Sequence, residues 1–173
     1  MSARPGPFDF AAQKERNVAR WTDVGWDEVA VFMGPNAERF HGAWSQTRDK
    51  VLAGRGGMAF GFCWPAFLFG FAWFFYRRMW LAGQLLIVVP LALALLVDSP
   101  GASIGTTVAI ALFAKSLYAQ HAVAKVAAAS ERSVSEAEPA AAGGVSIPGA
   151  AIGGLILASG LAWSVYAVAQ AWP

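Results

Sequence analysis

Residues 61 to 79 read GFCWPAFLFGFAWFFYRRM, an apolar run crowded with rings that stops at the pair Arg77 and Arg78. From Phe62 to Tyr76, nine of fifteen residues are Phe, Trp or Tyr. Rings that are part apolar and part polarisable settle at the headgroup boundary of a bilayer, so this stretch predicts a membrane surface. Pro65 suits the first turn of a helix, where its missing N–H costs nothing. A helix from Pro65 to Tyr76 is roughly 18 Å long at 1.5 Å per residue, against a hydrocarbon core of about 30 Å. Extending it back to Ala59 gives enough length but places Gly61, Pro65 and Gly70 inside the span. Residues 57–79 are therefore expected to form an aromatic interfacial or re-entrant helix ending in Arg-Arg. A full span is the alternative.

The chain downstream is more plainly membranous. Residues 80–97, WLAGQLLIVVPLALALLV, carry no charge and one polar residue, Gln84, and predict a transmembrane helix kinked at Pro90. Asp98-Ser99-Pro100-Gly101 reads as a tight turn. A second span is expected over 102–129, apolar through Ala114 apart from Ser103, Thr106 and Thr107, whose hydroxyls can bond back to the helix. Beyond it, Lys115, Tyr118, His121 and Lys125 fall within an arc of roughly 120° at 100° per residue, as on a helix leaving the membrane with Lys115 snorkelling to the headgroups. Residues 130–146, rich in Ala, Ser, Glu and Gly, read as a flexible linker. The last span is expected over 147–172, with Ser146 as its cap and Pro148 in its first turn. Ala150, Gly154, Ala158 and Ala162 recur every four residues, and Gly149 with Gly153 forms a GxxxG pair, a face that lets another backbone approach. Trp163 and Tyr166 flank that face, and Trp172 marks the far interface.

Residues 1–56 are the sizeable polar part and read as a cytoplasmic amphipathic segment. Trp26, Val29, Ala30 and Met33 recur at helical spacing after a cap near Asp23, and the helix ends before Gly34-Pro35. A second helix starts near Asn36, with Ala37, Phe40, Trp44 and Val51 on one face. Two helices this short bury too little surface to be stable alone. Their apolar stripes are expected to meet the membrane surface or the aromatic run.

The run Trp64-x-Ala66-Phe67-x-Phe69-Gly70-x-x-Trp73-x-x-Tyr76-Arg77-Arg78-Met79 resembles the signature of a family of small bacterial inner-membrane proteins of unknown function. That signature reads W-A-A-F-x-F-G-P-x-W-x-x-Y-R-K-M-Y. Pro65 stands here for its second residue, Ala, Phe71 for a Pro, Arg78 for Lys and Trp80 for the final Tyr. A weaker echo is Phe32-x-Gly34-Pro35-Asn36-Ala37-x-x-x-Phe40. The similarity runs from Phe32 to Val97 and implies no activity.

Charge sets the expected topology. The chain of 173 residues is 57% hydrophobic and 14% charged, against about 25% charged in average soluble domains. A formal charge of +2 is too small to point to nucleic acid. Eight of thirteen Lys and Arg precede residue 57; the others are Arg77, Arg78, Lys115, Lys125 and Arg132. Cytoplasmic loops near span ends are enriched in these residues. With three spans and the aromatic run kept at the cytoplasmic face, all thirteen lie inside. Four spans would put five outside. The opening stretch lacks a continuous apolar core, so no cleaved signal peptide is expected. The N-terminus is then cytoplasmic and the C-terminus periplasmic. Cys63, the one cysteine, reads as a small buried apolar residue.

The fold class expected is thus an all-α integral membrane protein: three transmembrane helices, an interfacial or re-entrant aromatic helix, and short amphipathic N-terminal helices, with four transmembrane helices as the alternative. No catalytic, cofactor-binding or metal-binding residues are assigned. His41 and His121 read as interfacial side chains. Asp23, Asp27 and Glu28 read as helix-start carboxylates, and no nucleophile elbow, P-loop or zinc-protease helix is present. The residues expected to form a membrane-interface or partner patch are Trp64, Phe67, Phe69, Trp73, Tyr76, Arg77 and Arg78. Arg77 and Arg78 read as an anchor for anionic headgroups, or Arg77 stacks on Trp73 or Tyr76. The expected helix-packing face is Gly149, Ala150, Gly153, Gly154, Ala158 and Ala162. The partners expected are the lipid bilayer and its anionic headgroups, and another membrane protein or a second copy through the last helix. The function expected is a non-catalytic accessory or assembly subunit of a bacterial inner-membrane complex. The alternative is a small oligomeric transporter or channel lined by Gln84, Thr106, Thr107 and Lys115.

Overall fold

Helix ends in this chain are set by local hydrogen bonds that the sequence supplies. The Asp9 carboxylate accepts from the Ala12 N–H at 3.1 Å and opens α1, Phe10–Asp23. The Glu28 carboxylate accepts from the Gly25 N–H at 3.3 Å and starts α2, Trp26–Met33. A turn over residues 35–37 leads into α3, Glu38–Leu52. That helix closes with the Arg55 N–H on the Lys50 carbonyl and Gly54 in the left-handed region at φ 69°, the glycine-ended arrangement that satisfies the last carbonyls. The computed structural model describes residues 9–96, 100–132 and 143–171. Among them all regular structure is helical, with α4 Trp64–Phe69, α5 Phe71–Tyr76, α6 Trp80–Leu96, α7 Pro100–Ser130 and α8 Ile147–Ala171 following the first three. The chain divides into two units, Met1–Phe60 with Lys115–Gly143, and Gly61–Ala114 with Gly144–Pro173.

In the first unit the amphipathic helices find a protein partner. Ala37, Phe40, Trp44 and Val51 are buried together with Trp21, Val29, Phe32 and Met33. Trp21 of α1 packs on Trp44, and the second half of α7, whose Tyr118, Ala119, Ala122 and Val123 are also buried, meets the cluster at Phe32 and Phe40. The Phe40 and Tyr118 rings meet edge-on with centroids 5.0 Å apart. The expectation that these stripes lie on lipid or on the aromatic run is therefore corrected. Tyr118, read from its spacing as part of a polar arc, is fully buried, because the apolar body of a tyrosine outweighs its one hydroxyl. The α1 helix, absent from the sequence reading, adds Trp21 to this core.

A buried polar clasp ties the extended segment after α3 to α7. The Thr47 and Ser116 hydroxyls are 3.0 Å apart and both residues are fully buried. Ser116 Oγ accepts from the Ala59 N–H at 3.1 Å and donates to the Gly57 carbonyl at 3.4 Å. The Gln120 amide donates to the same carbonyl. The Thr47 and Ser116 hydroxyls and the Ala59 N–H, buried groups that would be costly if left bare, are thereby satisfied.

In the second unit the aromatic run is two helices rather than one. Residues 61–63 stay extended, with the Gly61 N–H on the Leu112 carbonyl at 3.0 Å and the Cys63 N–H on the Ala111 carbonyl at 2.9 Å. After six residues of α4, Gly70 adopts φ 49°, ψ −125°, a conformation reserved for glycine, and α5 begins anew. Each piece is about 9 Å long. The single helix expected over 57–79 is thus broken, and the continuous 59–76 helix required by the four-span alternative is not formed. The α5 helix packs chiefly against α8 and next against α6.

Of the three expected spans, one has a described helix that meets the length and composition of a membrane crossing. Among the described residues, one helix is long and apolar enough to cross a membrane by length and composition, α8 over Ile147–Gln170. The α6 helix is described over 17 residues, fewer than the about 20 a span needs; its expected end, Val97, lies outside the described residues. Pro100 and Gly101, expected in a turn, open α7 instead, since proline is at home in a first helical turn. Asp98 and Ser99 lie outside the described residues. The 31 residues of α7 are shared, its part through Ala114 belonging to the second unit and the rest to the first. Residues 133–142 of the expected linker, and Trp172, also lie outside. Of the linker's end, Gly143 is buried with no room for a side chain against the Phe32 backbone.

Replacing Ser116 by Ala strips the Thr47 hydroxyl and the Ala59 N–H of a partner in one step. Unfolding of the purified chain, followed by tryptophan fluorescence, is expected to show a loss of about 1–3 kcal/mol. Adding Thr47→Val should then cost less than it does alone. A second pair concerns α8. A Cβ on Gly153 would lie 2.7 Å from the Ala72 Cα, whereas one on Gly154 meets nothing within 4 Å. Gly153→Leu should therefore lower stability by at least the ~1–3 kcal/mol typical of overpacking. Gly154→Leu should leave the melting temperature unchanged or raise it.

Candidate functional site

The aromatic run divides its side chains between surface and interior because a helix break falls in its middle. On α4, Trp64 is 66% exposed, Leu68 63% and Phe69 53%. Trp64 and Leu68 are four residues apart, so they share one helix face. Phe67, half-buried, holds this piece together: its ring is 5.5 Å from Phe62 and 6.1 Å from Trp64. On α5 the reverse holds, and Trp73, Phe74 and Phe75 are buried.

Arg77 follows α5 into the interior. It is 7% exposed, and its guanidinium carbon lies 5.7 Å from the centre of the Tyr76 ring and 6.0 Å from that of Trp73. An arginine over a desolvated ring is stabilised by ~2 kcal/mol, so these rings offset part of the cost of burying the charge. Arg78, half-buried, ends the helix in the left-handed region at φ 58°. Its N–H reaches the Phe75 carbonyl at 3.0 Å and the Met79 N–H reaches the Phe74 carbonyl at 2.9 Å, a Schellman closure. A non-glycine residue pays about 1–2 kcal/mol in that conformation. The seven residues expected as one patch are therefore two groups: Trp64, Phe67 and Phe69 around an exposed apolar face, and buried Trp73 and Arg77 stacked with half-buried Tyr76 and closed by Arg78.

The small-residue face on α8 divides in the same way. Gly149 and Gly153 are buried against α5, where a side chain on Gly149 would overlap the Phe75 carbonyl. The Ser146 N–H donates to the Tyr76 carbonyl at 2.7 Å, and the Ser146 hydroxyl accepts from the Gly149 N–H at 3.0 Å. Ser146 thus caps α8 and fastens it to the end of α5. Ala150 is half-buried, while Gly154, Ala158 and Ala162 are exposed. On the other side of α5, a Cβ at Gly83 would come within 2.7 Å of the Phe75 ring. Gly83 escaped the sequence reading; a lone glycine inside an apolar helix was the signal for it.

The remaining candidates are spread through the first unit. His41 is exposed, with its ring 4.7 Å from Trp26 and 6.0 Å from Trp44. His121 lies 6.2 Å from the Phe32 ring. Burial, and then the Lys125 ammonium, hold its imidazole below the ordinary histidine value. Asp27 and Glu28 occupy the first turn of α2, and Asp23 ends α1. Among the described residues no group of three or more His, Cys, Asp and Glu side chains is placed to hold a metal ion. Cys63 is buried.

No curated protein and no solved structure matches the chain. The sequence pattern of the family described as "Protein of unknown function (DUF2628)" matches residues 26–132. That stretch runs from the start of α2 past the end of α7, wider at both ends than the Phe32–Val97 similarity. It takes in the aromatic helices, the buried Arg77 stack and the Ser116 clasp, and it covers more than half of the chain, which therefore belongs to the DUF2628 family.

Proposed function

We propose that this protein is a multi-pass bacterial inner-membrane protein, with α6, the first half of α7 and α8 as its three spans. Its N-terminus is cytoplasmic and its C-terminus periplasmic. It acts as a non-catalytic accessory or assembly subunit of a larger membrane complex. The observation that carries the reading is α8. It is 25 residues long, about 38 Å at 1.5 Å per residue, and only the Gly149 and Gly153 flank is covered. Ile152, Leu155, Leu161, Val165 and Val168 are all exposed. A contiguous apolar surface of this kind calls for lipid or another protein. Two further features agree with it. No carboxylate occurs between Lys50 and Val97, which suits a stretch at an anionic surface. Lys115 follows the apolar half of α7, where a lysine can reach the headgroups.

The transporter or channel reading has one observation in its favour, the exposure of Gln84 on α6, since a polar side chain in an apolar helix is usually turned towards a partner or a cavity. Proteoliposomes holding this protein alone separate the two readings. The accessory role predicts no flux of ions or small solutes above empty vesicles and a second membrane protein in fixed ratio after purification in mild detergent. Flux overturns it. For the topology, a protease tag placed after Pro173 should be cut in intact spheroplasts. Cutting only after the cells are broken overturns the three-span arrangement.

A further inference from the structure

The first unit exposes apolar side chains at Phe10 and Val31 and, close together in the chain, at three positions around the end of α3. Leu52 at the end of α3 is 43% exposed, Met58 40% and Phe60 65%. All three flank the loop Gly54-Arg55-Gly56-Gly57, which the buried clasp at Gly57 and Ala59 holds in a fixed shape. Lysines and an arginine stand among them. The Lys50 ammonium lies 5.3 Å from the centre of the Phe60 ring and donates to the Met58 carbonyl at 2.7 Å. The Lys14 ammonium comes within 3.5 Å of the position a side chain on Gly54 would take. Arg55 is exposed at the loop tip.

The concavities beside the loop share this charge. One of about 230 Å³ is lined by Lys14, Asn17 and the loop glycines, with no carboxylate. The groove next to it along α1, about 580 Å³, shares Lys14 and Asn17 and adds Arg16 and Arg20, again with no carboxylate. Glu15 lines neither. Amide and cationic donors converge without a competing acid, the composition that suits a phosphate diester. Exposed apolar prongs ringed by lysine and arginine are what a protein presents to an anionic bilayer: the rings and thioether enter the boundary region while the cations meet the phosphates. A protein partner for such a ring would have to be acidic, and nothing in the apolar centre calls for one.

We propose that the first unit docks on an anionic membrane surface through this face, with Leu52, Met58 and Phe60 entering the headgroup boundary and Lys14, Lys50 and Arg55 binding lipid phosphates. The inference rests on the membrane reading above and adds to it a lipid contact made by the polar part of the chain. Phe60 is joined directly to Gly61, where the second unit begins, so the face is tethered to whatever membrane that unit occupies and needs little intrinsic affinity.

The full chain, with Cys63→Ala and Met58→Cys, labelled at position 58 with an environment-sensitive fluorophore, tests this in vesicles. A companion protein carries the label on α8 through Trp163→Cys. In phosphatidylcholine vesicles with phosphatidylglycerol added, spin-labelled lipid with its nitroxide near the headgroup should quench position 58. The quenching should weaken without phosphatidylglycerol and at high salt. Lys14→Gln with Arg55→Gln should lower the docked-to-undocked ratio about fivefold per charge; this pair leaves Lys50 on the Met58 carbonyl and so keeps the loop folded. Quenching of the α8 label by lipid with no quenching at position 58 overturns the docking and leaves the membrane reading standing. A blue-shifted but unquenched label at 58 also overturns it, since the face is then covered by protein. Absence of lipid quenching at both positions overturns the membrane reading and the docking with it.

Discussion

Two glycines set the distance between α8 and α5, and most of the second unit depends on that distance. Gly149 and Gly153 let one backbone lie on the other, so that the Ala72 and Phe75 main chain fills the space where side chains would stand. Dispersion falls off steeply with separation, and a slot this tight gains contacts along its whole length. The same approach puts the Ser146 N–H on the Tyr76 carbonyl, which ties the start of a long apolar helix to the end of a short aromatic one. Gly83 repeats the device on α6, where the Phe75 ring takes the vacated space. An α5 of six residues could not hold its shape alone. It is a helix because glycines from two neighbours accommodate its rings.

The first unit solves a different problem, that of short helices with too little surface to bury. Its answer is α7, which carries its own second half into the cluster as a covering helix. There Phe32 and Phe40 meet His121 and Tyr118 of α7, while Trp21 and Trp44 pack on each other. The clasp around Ser116 then fixes the extended chain at Gly57 and Ala59, placing the basic loop and its apolar neighbours on the surface in one arrangement. Core order and surface chemistry are thus linked through a single serine.

Buried charge is the feature least expected of a chain so rich in apolar residues. Arg77 is enclosed by Trp73 and Tyr76 rather than left to water. Arg78 closes the helix in a conformation that glycine would adopt at lower cost. Both positions carry positive charge although a neutral residue would be easier at each.

The sequence by itself determined that the chain is helical and which faces of α2 and α3 are apolar. These are consequences of period and composition, written into any window of a few turns. It also determined family membership, over a longer stretch than the aromatic signature alone. Only the tertiary structure decided where the aromatic run breaks, since one glycine among fifteen residues carries no local sign of whether its φ will turn positive. Only the tertiary structure decided that the stripe of α3 meets Tyr118, and that the small-residue face of α8 is used on its Gly149 and Gly153 edge and left open along Gly154, Ala158 and Ala162. Which of two similar edges a helix buries depends on the shape of what comes against it, here the rings of α5, and that shape is settled by residues about seventy positions away in the chain.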